Sequence, residues 1–293
     1  MAANWQAGVE QALGKYIIIC SDKLLILPWV LETVHHLLRS NMVDALVWQI
    51  GDHTHFSEKA PEFLNSSLVA GKDIMNAAAA GSWRLLFDAG ARGMNCAFHH
   101  SFVSRVQEQL GVPLCRMICP DFNIALSLAA LNSNQLYLKH VGSTFLPDAD
   151  GNGMFCLMTP NSEAIRAKFE VPELDQLPVQ YITPVTAICH DIILANNLLP
   201  VEQRRPLNWE MFFVNLIQEA IDADYMGGFG AQRRKELLAA IAAKPLRFRL
   251  SLLKTILHQE LINLIRGKRS FSFQLHRMMR LLTYPVKGII KRV

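Results

Sequence analysis

The apolar positions of this chain change period several times, and each change predicts an element. Residues 4–13 carry a helical pattern that stops at Gly14, a residue that ends helices readily. Tyr16-Ile17-Ile18-Ile19 then packs an aromatic and three β-branched residues together. Bounded by Gly14 before and Ser21-Asp22-Lys23 after, this run predicts a buried strand from Lys15. Asp22 and Lys23 fall at its C-terminal edge, where open α/β sheets bind their ligands. Pro28 suits the first turn of a helix, and Val30, Val34, Leu37 and Leu38 give that helix a buried face to about Ser40. Helix, strand, polar edge and helix follow one another as in a nucleotide-binding α/β sheet.

Further along, residues 44–50 predict a second strand and 72–80 a short helix. A helix from the His99-His100 region ends at Gly111. Pro120 bars helix before it, Asp121 is a favourable N-cap, and Phe122 to Leu131 has helical composition. Residues 135–141 predict another strand. Gly142-Ser143-Thr144 and the run 148–153 then predict a long loop. From Pro160 onward strand signals thin out, and helices are expected near 182–199, 207–223 and 229–242, with a break at Gly227-Gly228.

Charge adds a second division. Residues 244–293 hold twelve Lys or Arg and a single acid, Glu260, a net +11, whereas the whole chain carries only +4. Leu250, Leu253, Leu257, Leu261 and Leu264, and later Leu275, Met278, Met279 and Leu282, recur at helical intervals among these cations. Such a stretch is expected to bind an anionic membrane surface. No nucleic-acid module accompanies the charge, so no nucleic-acid partner is expected. The first residues lead directly into a helix containing Glu10, and no run reaches the roughly eighteen apolar residues of a membrane span. A cytoplasmic or peripheral membrane protein is the expectation. With 51% hydrophobic and 18% charged residues, the chain can bury a sizeable core.

Three groups invite a metal reading. Cys115 and Cys119 are four apart but have no matching second pair, so all six cysteines read as reduced thiols. His53 and His55 could chelate from a strand, or be solvated on a loop. Asp148-Ala149-Asp150-Gly151-Asn152-Gly153 resembles the start of a calcium loop, yet its twelfth position is Thr159 and not Glu.

Asn4-Trp5, Gly8, Ala12-Leu13-Gly14-Lys15-Tyr16-Ile17 and the ungapped Asp22-Lys23-Leu24-Leu25-Ile26-Leu27-Pro28 together resemble glycosyltransferase family 2, of GT-A fold. That family reads Asp-Asp-Asp-x-Leu-Leu-Pro at the second run. Pro120-Asp121-Phe122 with Ala125 resembles its Pro-Asp-aromatic-x-x-Ala segment. The resemblance covers about residues 4–155, and is strongest over 4–31 and 117–131. It implies a partial GT-A-like (Rossmann-like) mixed sheet with helices on both faces, followed by a mainly α-helical C-terminal region. It also implies that the family's opening strand and base-binding elements, some eighty residues, are missing before Asn4. The domains expected are 1–158, an N-terminally incomplete core; 159–243, a helical annex; and 244–293, a basic amphipathic tail.

The resemblance further implies an inverting enzyme of bacterial surface-polysaccharide synthesis. It would move a sugar from a nucleotide-sugar donor to a glycan or lipid-linked acceptor at the inner face of the cytoplasmic membrane. Asp22 would meet the donor diphosphate or ribose, Lys23 the diphosphate. Asp121 would be the general base or simply a helix cap. His99 or His100 would line the acceptor side or pack locally, and Ser143 and Asn152 would belong to a loop over the acceptor. Family members hold Mn or Mg with several acids at the strand edge. Here Lys23 and Leu24 replace two of them, so a divalent metal is disfavoured and no cofactor is expected. The same losses leave open a non-catalytic relative that binds a glycan or a partner subunit.

Overall fold

The computed structural model describes residues 2–40, 43–51, 59–116, 118–146, 156, 159, 162–169, 174–225 and 230–265. The chain divides into two compact units, one of residues 1–150 with 190–207 and one of 151–189 with 208–293.

The first unit is built on a six-stranded mixed sheet. Its strands are β1 (Tyr16–Ile18), β2 (Leu24–Ile26), β3 (Ala45–Gly51), β4 (Ser66–Ala70), β5 (Cys96–His99) and β6 (Asn134–Phe145). They lie in the order β1-β5-β3-β6-β2, with β4 also on β6. Only β3 and β6 pair in parallel; every other neighbour is antiparallel. β6 is long enough to carry two partners on its far side, β4 along 134–138 and β2 along 143–145. It follows from these pairings that β1, β3 and β6 run in one direction and finish at the same end of the sheet. β5 begins at that end.

Both faces of the sheet are covered by helices, and the pleat sorts the core into two layers. Ala45, Val47, Cys96, Phe98 and Tyr137 point to one face. There they meet Val9 of α1 (Ala2–Gln11), Phe102 and Val106 of α5 (His100–Leu110), and Ile124 and Leu128 of α6 (Pro120–Ala130). Leu46, Trp48, Ala97, Leu136 and Leu138 point to the other, against Trp29, Val30, Val34 and Leu38 of α2 (Pro28–Ser40). α3 (Gly71–Ala79) and α4 (Arg84–Ala89) complete the unit before β5. α5 ends as expected at Gly111, whose φ of 68° is the left-handed geometry glycine adopts cheaply.

The strand expected from Lys15 is β1, which stops at Ile18 with Ser21-Asp22-Lys23 in the turn beyond it. It is an edge strand and only partly buried, and β2, which was not foreseen, follows on the opposite edge of the sheet. One expectation is corrected. The stretch 142–144 is not loop. β6 continues to Phe145 because Leu25 and Ile26 pair with Thr144 and Ser143, while Leu27 N–H reaches the Gly142 carbonyl at 2.8 Å. Ser143 is buried, and its hydroxyl accepts the Trp48 indole N–H at 3.0 Å.

The second unit is helical among its described residues. It contains α7 (Ser162–Phe169), the start of α8 (Pro184–Asn197), α9 (Trp209–Tyr225), α10 (Ala231–Ala242) and α11 (Leu246–Ile265). Arg233 is buried and ties its loops together. One guanidinium nitrogen donates to the carbonyls of Cys156 (3.1 Å), Ile182 (3.2 Å) and Thr159. Thr183 and Thr186 cap the start of α8 reciprocally, and Glu219 accepts the Val185 N–H at 3.0 Å. Burial pushes the Glu219 carboxyl up to about 7, although the Thr183 hydroxyl, the Val185 N–H and Arg233 oppose the shift.

Gly142 shows how tightly β6 meets the α2 layer. A Cβ there would lie 2.6 Å from the Trp48 ring and 2.9 Å from Val30. Trp48 is fully buried and has no room to retreat. Gly142→Ala should therefore cost roughly 1–3 kcal/mol of stability, read as a lower urea midpoint at unchanged slope. A midpoint equal to wild type would mean that the layer is loosely packed.

Candidate functional site

The start of α6 gathers most of the charge buried in the first unit. Cys119 occupies the N-cap position but its side chain makes no cap bond, Pro120 opens the helix, and Asp121 lies in the first turn. Asp121 is therefore not the N-cap that its neighbourhood predicts. The turn just before the helix is held from far downstream by Asp191. One carboxylate oxygen of Asp191 accepts the Ile118 N–H at 3.2 Å, and the other accepts the Cys119 N–H at 2.7 Å. His190 Nδ1 stands 3.1 Å from the first of these oxygens. Asp191 has no solvent exposure, and burial raises its carboxyl pKa against the pull of His190 and the two backbone donors.

Around this clamp the side chains are interlocked. Asn123 accepts the Arg116 N–H at 2.7 Å and donates to the Cys119 carbonyl at 3.3 Å. Arg116 reaches back to the Pro113 carbonyl at 2.9 Å and the Ser127 hydroxyl at 3.1 Å. Burial lowers its guanidinium to about 10, partly offset by the negative charge of Asp191. Arg92 lies four residues before β5 and caps two aromatic rings, 5.7 Å from the centre of Phe87 and 5.9 Å from that of Phe122. These rings meet edge to face at 5.3 Å.

Asp121 takes its character from these neighbours. Burial pushes its carboxyl up to about 6. Arg92 works against that rise, as do its own and the Phe122 backbone N–H groups, while Asp191 adds to it. A carboxyl poised near 6 is largely ionised at neutral pH yet basic enough to take a proton from an attacking hydroxyl. Burial and the opposing pull of Asp121 act in the same paired way on Arg92.

The other expected residues separate by position. Asp22 is exposed in the turn after β1, where the Ser21 hydroxyl lies 3.1 Å from its carboxylate and accepts the Lys23 N–H at 3.2 Å. Lys23 is half-buried, and its carbonyl accepts the Leu146 N–H at 3.0 Å, which ties the turn to the finish of β6. The turn thus sits at the end of the sheet where β5 begins, the end that Arg92 precedes. His99 and His100 lie at the opposite end. His99 pairs with Tyr16, and His100 N–H bonds the Lys15 carbonyl at 2.9 Å. The His99 ring caps α5 by accepting the Ser101 N–H at 3.1 Å and stands edge-on to Tyr16. Its role is local. Ser143 serves Trp48 inside the sheet, and Asn152 lies outside the described residues, as do His53, His55 and the 148–153 run.

The strand-edge turn itself offers a hard cation little to bind. Asp22 is its single carboxylate, Lys23 brings an ammonium, and Leu24 is buried in β2 with its side chain in the core. Among the described residues no three His, Cys, Asp or Glu side chains converge as a metal site. Cys115 is buried, with its thiol pushed up to about 12 by desolvation.

Arg92, Arg116, His190 and Asp191 were not foreseen. His190-Asp191 left a trace, as an ionisable pair between Ile188-Cys189 and Ile192-Ile193 in an apolar helix. Arg92, in a glycine-dotted stretch, left none. No protein-family model matches the chain, and no curated protein matches it.

The raised Asp121 pKa has a definite sign. Between about pH 4 and 6 the folded protein holds this proton more tightly than the unfolded chain, so stability falls as pH rises through that window. Asp121→Asn should be more stable than wild type at pH 7, by roughly 1–2 kcal/mol, with the gap closing below about pH 4. A gap of the opposite sign would place the carboxyl below its ordinary range. Asp191→Ala strips both clamp acceptors and should cost roughly 1–3 kcal/mol at pH 7 in the same denaturation assay. No loss would mean that the α6 start is held by other contacts.

Proposed function

We propose that the chain is a glycosyltransferase-like protein whose working end is the one shared by the Asp22-Lys23 turn and the start of α6. The observation that carries this reading is Asp121, a carboxyl raised to about 6 by burial and balanced by Arg92 in the first turn of a helix. The resemblance of residues 4–31 and 117–131 to glycosyltransferase family 2, and a mixed sheet with helices on both faces, support the same reading.

In the proposed reaction an acceptor hydroxyl attacks the anomeric carbon of a nucleotide sugar. The bond from that carbon to the diphosphate breaks, with inversion, and Asp121 takes the hydroxyl proton. The leaving nucleoside diphosphate gains negative charge, which Lys23 offsets, with Asp22 orienting the donor. Fixed ammonium charge thereby stands in the place of a metal, and no step runs through a metal ion. A lipid-linked or glycan acceptor fits a protein working at the inner face of the cytoplasmic membrane. His99 and His100 are left out of this scheme because they lie at the far end of the sheet.

One observation favours a second reading, a non-catalytic relative that binds a glycan or partner subunit. The third acidic position of the family's motif is Leu24, buried in the core, so that carboxylate has been replaced by packing.

Release of nucleoside diphosphate from a panel of nucleotide sugars, with glycan and lipid-linked acceptors and with chelator present, distinguishes the two. The enzyme reading expects turnover in chelator that falls about 10²–10⁴-fold in Asp121→Asn while donor binding persists. It also expects kcat/KM to rise with pH through about 6, and donor binding to weaken in Lys23→Ala. Activity abolished by chelator and restored by manganese contradicts the ammonium scheme. Glycan binding without turnover of any donor establishes the second reading.

A further inference from the structure

α11 has two apolar faces, and among the described residues only one of them is covered inside its unit. Leu252 and Ile256 are buried, Phe248 meets Phe213 edge to face at 5.9 Å, and Gln259 accepts the Gln218 amide at 2.8 Å. These residues seat the helix on α9. Leu246, Leu250, Leu257 and Leu261 are instead 45%, 54%, 46% and 54% exposed. At 100° per residue the four fall within an arc of about 60° on the side away from Leu252 and Ile256. A leucine stripe four turns long, left in solvent, is unusual for a helix that already has a buried face.

The cations are placed beside that stripe. Arg247 and Lys254 are exposed on one flank of it, together with His258, and half-buried Arg249 lies on the other. Apolar residues along the middle with basic residues at the margins is the arrangement of a helix lying in a bilayer interface. There leucines enter the acyl boundary while Lys and Arg remain among the headgroups. α11 is not a span: among the described residues no helix is long and apolar enough to cross a membrane. The +11 excess of residues 244–293 selects the partner's charge.

We propose that the exposed face of α11 docks on an anionic lipid surface, with Leu246, Leu250, Leu257 and Leu261 entering the interface and Arg247 and Lys254 contacting the headgroups. This inference stands apart from the sugar-transfer reading, and its test involves no donor.

The full chain should co-sediment with phosphatidylcholine vesicles containing phosphatidylglycerol and bind pure phosphatidylcholine vesicles far more weakly. Leu250→Glu with Leu257→Glu should abolish sedimentation. Both positions are exposed, so the thermal melt should stay that of wild type, which separates lost docking from lost folding. Arg247→Gln with Lys254→Gln should weaken binding about five- to tenfold per cation removed, and high salt should weaken the wild type likewise. Equal binding to both vesicle types would overturn the proposal, as would a leucine variant that binds like wild type. It would also fail if wild type ignored both vesicles and the leucine variant turned a dimer into a monomer, since a second copy would then be the occupant of the stripe.

Discussion

The first unit depends on a bond between residues more than seventy positions apart. Asp191 carries its carboxylate to the start of α6 and satisfies the N–H groups of Ile118 and Cys119. Both donors lie in the turn just before the helix, whose own N-cap side chain, Cys119, makes no cap bond. A buried charge is costly unless it is hydrogen-bonded, and Asp191 meets that condition with two backbone donors and His190. The clamp thereby fixes where α6 begins, and with it the position of Asp121 relative to Arg92.

The electrostatics of the site follow from that placement. Arg92 and Asp191 shift Asp121 in opposite directions, and Asp191 holds the Arg116 guanidinium up against burial. Burial raises the Asp121 carboxyl. Arg92 restrains the rise, and its own charge is accommodated over the rings of Phe87 and Phe122. The aromatic pair is therefore part of the electrostatic arrangement as well as of the core. Ionisation near neutrality is the property a proton acceptor requires.

Local patterns made several elements readable, and long-range pairing hid the others. Pro28 and the spacing of Val30, Val34 and Leu38 predict α2, which runs from Pro28 to Ser40. Gly111 marks the end of α5. β2, β4 and β5 were missed: β2 and β5 are three and four residues long, and β4 is only partly buried. The reach of β6 through Gly142 and Ser143 was misread because glycine and serine favour turns locally. The pairing partners that override this preference, Leu25 and Ile26, lie more than a hundred residues earlier. Ser143 accordingly looked like a loop hydroxyl and is the buried partner of Trp48. Asp121 was singled out from the sequence, but the cluster around it was not. Arg92 and Asp191 reach it only through the tertiary fold, and spacing along the chain holds no trace of that meeting. The two faces of α11 were merged in the sequence pattern, since leucines at intervals of three and four do not reveal which of them a neighbour covers.

The central claim is that Asp121 is a carboxyl held near neutrality by burial and restrained by Arg92. A ¹³C titration of the Asp121 carboxyl by NMR, in wild type and in Arg92→Gln, tests it directly. The account predicts a midpoint of about 6 in the wild type and a higher one once the guanidinium is removed. A wild-type midpoint below the ordinary aspartate value of about 3.9, or one that does not move in Arg92→Gln, would contradict it.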